Sequence, residues 1–153
     1  MPANFRQAAP FLWAACLFLS LPAYAQATFD SPSGNIICYR TETTAVTCII
    51  FENDWNESQQ GGLAFEDEEE CGLDLTPVFE LPVQGPPNIF MSCHGDAFWP
   101  TENRFVLPYG YSLHGPGFRC ASEKGGMNCR NRQGHGFAIA RARYRILTPP
   151  VAE

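Results

Sequence analysis

A chain of 153 residues with a formal net charge of −6 has room for one domain with a modest core. Its acidity argues against nonspecific nucleic-acid binding, which depends on Lys and Arg neutralising phosphates. With 13 Gly and 13 Pro, and no three-turn stretch of helical apolar spacing beyond the N-terminal leader, the sequence excludes a helix bundle.

Residues 1–25 read as a secretory signal peptide: Arg6 supplies the basic start, residues 11–21 the apolar stretch, Pro22 a breaker and Ala23-Tyr24-Ala25 the cleavage site. The apolar run is much shorter than the roughly 20 residues that span a bilayer, so no membrane span is expected in the mature protein. Cys16 sits inside that run behind Trp13-Ala14-Ala15, which is no lipobox, and leaves with the signal. A mature chain of residues 26–153 keeps six cysteines, an even count that reads as three disulfides in a periplasmic or secreted domain.

Along the mature chain, Ser-x-x-Gly-x-x-x-Cys occurs twice, from Ser31 to Cys38 and from Ser122 to Cys129, offset by 91 residues. In the first copy, residues 29–31 lead through the turn Pro32-Ser33-Gly34-Asn35 to strands at 36–40 and 45–51, joined by a polar turn at 41–44. Residues 52–70 form a polar loop with a single helical turn at 54–59 and an acidic run at 66–70. Strands at 75–83 and 89–93 flank Gln84-Gly85-Pro86-Pro87-Asn88, and a short strand covers 104–107. The second copy gives strands at 118–122, 127–131 and 137–146. The predicted fold is all-β, a small closed barrel or sandwich built from two related three-stranded meanders.

Aligned without a gap, Phe29, Cys38 and Cys48 fall on Cys120, Cys129 and Ile139. Each copy then holds one cysteine pair on neighbouring strands, where facing side chains stand about 4.5–5.5 Å apart, close to disulfide geometry. The pairs are Cys38 with Cys48 and Cys120 with Cys129, leaving Cys71 with Cys93. Each is worth on the order of 3 kcal/mol by loop-closure entropy. No Cys-x-x-Cys occurs, so neither a zinc ribbon nor a redox pair is expected.

Charge divides unevenly. Residues 26–103 carry 14 acids against Arg40 alone, whereas residues 104–153 carry eight bases against two acids. In the alternating run 137–146, Arg141, Arg143 and Arg145 share one face and, with Arg130 and Arg132, could grip a carboxylate-rich or phosphate-bearing partner. The same row could be a solvated sheet face satisfied by the acidic run at 66–70. Adjacent carboxylates there supply neither a calcium loop nor a glycosidase pair.

Gly134-His135-Gly136 presents an imidazole at an open turn, although the glycines alone would explain a hairpin. His94 and Asp96 lie two apart and could relay a proton, or Asp96 could cap the turn after Cys93. His94, His114 and His135 lack the spacing of a zinc site, and no metal or cofactor is expected. Trp55, Phe98, Trp99, Tyr109 and Tyr111 lie in turn-rich stretches, where rings stack on sugars or plug a barrel end. No Gly-x-Ser-x-Gly elbow occurs, so no catalytic residue is assigned.

Several of these segments, Phe29-x-Ser31-Pro32-Ser33-Gly34-Asn35-Ile36-x-Cys38, Val46-x-Cys48, Cys93-x-Gly95-Asp96, Tyr109-Gly110, Cys120-x-Ser122, Cys129-x-Asn131 and Gly134-His135-Gly136-Phe137, together resemble a family of secreted bacterial domains of unknown function. The resemblance spans residues 29–146 and implies export, disulfides and a compact β domain, with no activity to transfer. The expected role is a non-catalytic binding module at the cell envelope, with His135, Arg141, Arg143, Arg145, Trp99, Tyr109 and Tyr111 as contact residues and an envelope glycan or exported protein as partner. Two other classes remain open: an inhibitor of an exported hydrolase of the lysozyme type, and an enzyme using His135 and Asp96.

Overall fold

The computed structural model describes residues 28–56, 64–65 and 71–150. The expected leader at 1–25, the acidic run at 66–70 and residues 57–59 of the expected helical turn lie outside the described residues; residues 54–56 are not helical.

The short alternating runs become strands. β1 (Thr28–Asp30), β2 (Ile36–Tyr39), β3 (Val46–Ile50), β4 (Ala64–Phe65), β5 (Asp74–Leu81), β6 (Asn88–His94) and β7 (Arg104–Val106) form one sheet in the order β4-β6-β5-β3-β2-β1-β7. β8 (Ser112–Gly115), β9 (Phe118–Glu123), β10 (Gly126–Asn131), β11 (Gly136–Ile139) and β12 (Tyr144–Leu147) form the second, in the order β12-β11-β10-β9-β8. Neighbours run antiparallel except β1 with β7 and β4 with β6.

Among the described residues no ladder joins the sheets, so the architecture is a sandwich and not a closed barrel. The chain crosses between them at residues 107–110. Leu107 N–H still donates to Asp30 O at 2.9 Å in the large sheet, while Gly110 N–H donates to Ser122 O at 2.7 Å in the small one. Pro108 has no N–H to extend the first ladder, and Gly110 takes φ 85°, a left-handed corner that a side chain would strain.

The core lies between the sheets. Phe29, Cys38, Cys48, Phe79 and Leu81 face Met127, Cys129, Phe137 and Ile139, and Phe79 meets Phe137 with ring centroids 5.3 Å apart. Each of the Phe, Leu, Met and Ile side chains, removed from water, contributes about 1.5–3 kcal/mol. Trp55 closes one margin, 4.9 Å from Tyr144, and its indole N–H donates to Ala140 O at 2.9 Å. β2 and β3 are buried on both faces, because Phe90 and Trp99 cover Ile37, Tyr39, Ile49 and Val78 on the outer side of the large sheet.

All three disulfides pair as expected, two of them from the repeat and Cys71 with Cys93 as the remaining pair. Cys38 faces Cys48 and Cys120 faces Cys129 in register, each pair with Cα atoms 4.1 Å apart. The two bridges meet across the core, with Cys48 Sγ 3.9 Å from Cys129 Sγ.

The first hairpin of each copy keeps its register under the 91-residue offset: Phe29 faces Cys38 as Cys120 faces Cys129. The third strand does not. Cys129 faces Phe137, so Phe137 and not Ile139 is the counterpart of Cys48. The β2–β3 connection is two residues longer and is held by threonine hydroxyls, Thr41 to Thr44 at 2.7 Å and Thr44 to Thr47 at 3.0 Å. A two-residue change preserves which face points inward, which is why both copies still present an apolar residue there.

The expected strand at 137–146 is two strands. Ala140 N–H donates to Arg143 O at 3.0 Å, and the chain reverses between β11 and β12. The reversal is fastened from outside: Asp54 N–H donates to Arg141 O at 2.8 Å, and the Arg141 side chain reaches Glu52 at 3.3 Å and Asp54 at 3.1 Å. β4 and β8 are further strands that composition did not announce.

Candidate functional site

The hairpin at β11–β12 dismantles the expected row of Arg141, Arg143 and Arg145. Arg141 sits in the turn, neutralised by two carboxylates. Arg145 lies opposite Ala138 on β12, with Arg143 at the turn before it.

Register then builds a different basic surface on the outer face of the small sheet. One row across the strands reads Arg145, Ala138, Asn128, Ala121, Ser112, and the next reads Leu147, Gly136, Arg130, Arg119, His114. These positions alternate with the core residues Phe137, Cys129 and Cys120, so their side chains leave the core. Arg119 and Arg130 stand directly opposite each other. Like charges at that spacing repel, a local cost that a bound anion would cancel.

The guanidiniums are held but not neutralised. Arg130 Nη1 donates to Gly134 O at 2.5 Å, and Arg119 Nη2 donates to Ser112 Oγ at 3.1 Å. Among the described residues, ion pairs join Arg104 to Asp30 and Arg141 to Glu52 and Asp54, while Arg119, Arg130, Arg143 and Arg145 have none.

Small residues keep the floor between them open. At Gly136 a Cβ would fall 1.9 Å from Cys129 O, so no side chain fits beside Arg130. A shallow hollow of about 350 Å³ lies between His114, Arg119, Arg130 and Arg132, and another of about 220 Å³ reaches Arg143, Arg145, Glu123 and Asn128.

Sequence reasoning missed Arg119, yet the signal was present. Pairing Cys120 with Cys129 on antiparallel strands places their outer neighbours, Arg119 and Arg130, face to face.

The other candidates are dispersed. His135 is half-buried in the β10–β11 turn, where its carbonyl accepts from Asn131 N–H at 2.8 Å. Gly134 adopts φ 87° and Gly136 admits no Cβ, so both glycines have structural reasons to be there. Tyr109 and Tyr111 are exposed at the crossing between sheets, and Trp99 covers the outer side of the large sheet, across the sandwich from the arginines.

His94 and Asp96 meet through the main chain. His94 Nδ1 lies 3.0 Å from the Asp96 carbonyl, which only accepts, so that nitrogen donates, and Nε2 lies 2.7 Å from Thr76 Oγ1. His94, His114 and His135 are not brought together. Among the described residues the only grouping with metal-ligand spacing is Cys38, Cys48 and Cys129, whose sulfurs are committed to disulfides and offer no thiolate.

No curated protein and no solved structure matches the chain. The model of a family of unknown function, DUF6636, matches residues 14–147, so this all-β, disulfide-linked chain belongs to that family.

Proposed function

We propose that the protein is an exported, non-catalytic binding module that holds an anionic envelope glycan on the outer face of its small sheet. The observation that carries this reading is the cross-strand pair Arg119 and Arg130, with Arg143 and Arg145 nearby and no carboxylate paired to any of them among the described residues. Planar guanidiniums match carboxylate and phosphate groups through two parallel hydrogen bonds. A flat face suits an extended polymer better than a reacting small molecule, which needs enclosure. Buried disulfides support residence in an oxidising compartment.

The test is binding to lipopolysaccharide and to its dephosphorylated form at several salt concentrations. Binding to the phosphorylated form weakens as salt rises, and the double variant Arg119→Ser/Arg130→Ser loses about tenfold or more in affinity. Arg104→Ser, which removes a guanidinium already neutralised by Asp30, leaves it unchanged. Salt-independent binding, or equal affinity of the double variant, refutes the reading. Stoichiometric inhibition of an exported lysozyme, or turnover abolished by His135→Ala or Asp96→Ala, would replace it with one of the other two classes.

A further inference from the structure

On the opposite side of the sandwich, a cleft of about 920 Å³ opens between the β2–β3 connection and the segment that leads into β7. Arg40, Thr41 and Glu42 form one wall, and Trp99, Thr101, Glu102 and Asn103 line the remainder. This site is separate from the arginine face and does not depend on it.

Its chemistry is mixed in a particular way. Trp99 packs against the outer surface of the large sheet and makes edge contacts to Phe51 at 5.1 Å and Phe98 at 5.2 Å, yet it is not buried. Those contacts fix where the ring stands in the wall. Around it stand hydroxyl, amide and carboxylate groups, the inventory that binds sugar hydroxyls.

Among the described residues Arg40 is the only cation lining the cleft. Its Nε is shielded from solvent without a hydrogen-bond partner, and among the described residues neither Glu42 nor Glu102 forms an ion pair with it. A half-buried guanidinium that no carboxylate pairs with directly favours an incoming acid group that does. Glu42 and Glu102 line the same cleft, so its charged side chains sum to −1 and an acid group is favoured only where it meets Arg40 directly, away from both; a phosphate dianion would be repelled more strongly than a single carboxylate. The volume falls within the range of small-ligand sites and accommodates a short oligosaccharide.

We infer that this cleft is a saccharide subsite selective for sugar units bearing one carboxylate, with Trp99 stacking on the ring and Arg40 holding the acid group. The direct test is an NMR titration of the oxidised protein with the glucuronic acid–N-acetylglucosamine disaccharide of hyaluronan, with neutral N,N′-diacetylchitobiose as comparison. The Trp99 indole N–H signal, assigned by its loss in Trp99→Phe, shifts saturably, and the acidic sugar binds more tightly than the neutral one. Arg40→Gln weakens the acidic disaccharide about tenfold or more while changing the neutral one less than about twofold. Arg119→Ser/Arg130→Ser leaves both sugars unaffected, which separates this site from the basic face.

Should Arg40→Gln fail to fold, Thr101→Val on the exposed wall weakens both sugars about threefold through one lost hydrogen bond. The inference is overturned if Trp99 does not respond to the acidic sugar, if both sugars bind equally, or if binding is lost in the Arg119/Arg130 variant and kept in the Arg40 variant.

Discussion

Tyr39 occupies an outward position on β2 but is covered, with only 7% of its surface exposed. Burial, and secondly the charge of Glu80, push its hydroxyl up to about 12 from an ordinary 10.0. Register explains the partner: Thr47 lies opposite both Tyr39 and Glu80, so the three share one row. The folded protein keeps a proton that the unfolded chain releases, so this contribution to stability is whole below about pH 10 and is lost as pH rises towards 12. Denaturant curves at about pH 9 and about pH 11 should show a fall in stability across that window, and Tyr39→Phe should make the fall shallower. An equal fall in both proteins would place the alkaline sensitivity elsewhere.

At the scale of elements, the hairpin of β11 and β12 depends on contacts from a distant loop. Trp55→Phe removes the indole donor to Ala140 O and should cost about 1–2 kcal/mol in urea unfolding. Asp54→Ala breaks an exposed ion pair and should cost less than about 1 kcal/mol, because its main-chain bond to Arg141 O remains. If the carboxylate proved the more costly loss, the turn would be held by charge and not by the indole.

This hairpin also shows where the sequence stopped being legible. Cross-strand cysteines, the turn at Gly34 and the all-β class were readable because each leaves a local mark, a repeat, a glycine at φ 71° or a period of two. Ala140-Arg141-Ala142-Arg143 contains no glycine, proline or asparagine, and its alternation continues that of β11, so nothing local announces a reversal imposed by Asp54 and Trp55. The basic surface was misread for the same reason. It is assembled across β9, β10 and β12 by register, not along one strand. The Trp99 cleft joins residues some 60 positions apart, a juxtaposition only the folded chain displays.

For the molecule as a whole, the disulfides divide into two classes by burial. Cys38, Cys48, Cys120 and Cys129 have no exposed surface, whereas Cys71 is partly exposed and Cys93 exposed. Thiol attack needs access to sulfur. Mild reduction under native conditions followed by alkylation and mass analysis should therefore label Cys71 and Cys93 first, with the other four labelled only as the protein unfolds. Simultaneous labelling of all six would mean that the two sheets separate readily. The contact between Cys48 and Cys129 sulfurs makes the inner pairs a joint feature of both sheets: emptying either bridge leaves a gap against the other.

The crossing at residues 107–110 has a different implication. One continuous stretch, from Arg104 to Gly115, supplies the border strand β7 of the large sheet and the border strand β8 of the small one. If that stretch detached, β1 and β9 would be bared together on the same flank, each with a vacant row of amide and carbonyl groups. A second molecule offering its own copy of the stretch would satisfy both rows at once, so this flank is where exchange of segments between two chains would begin.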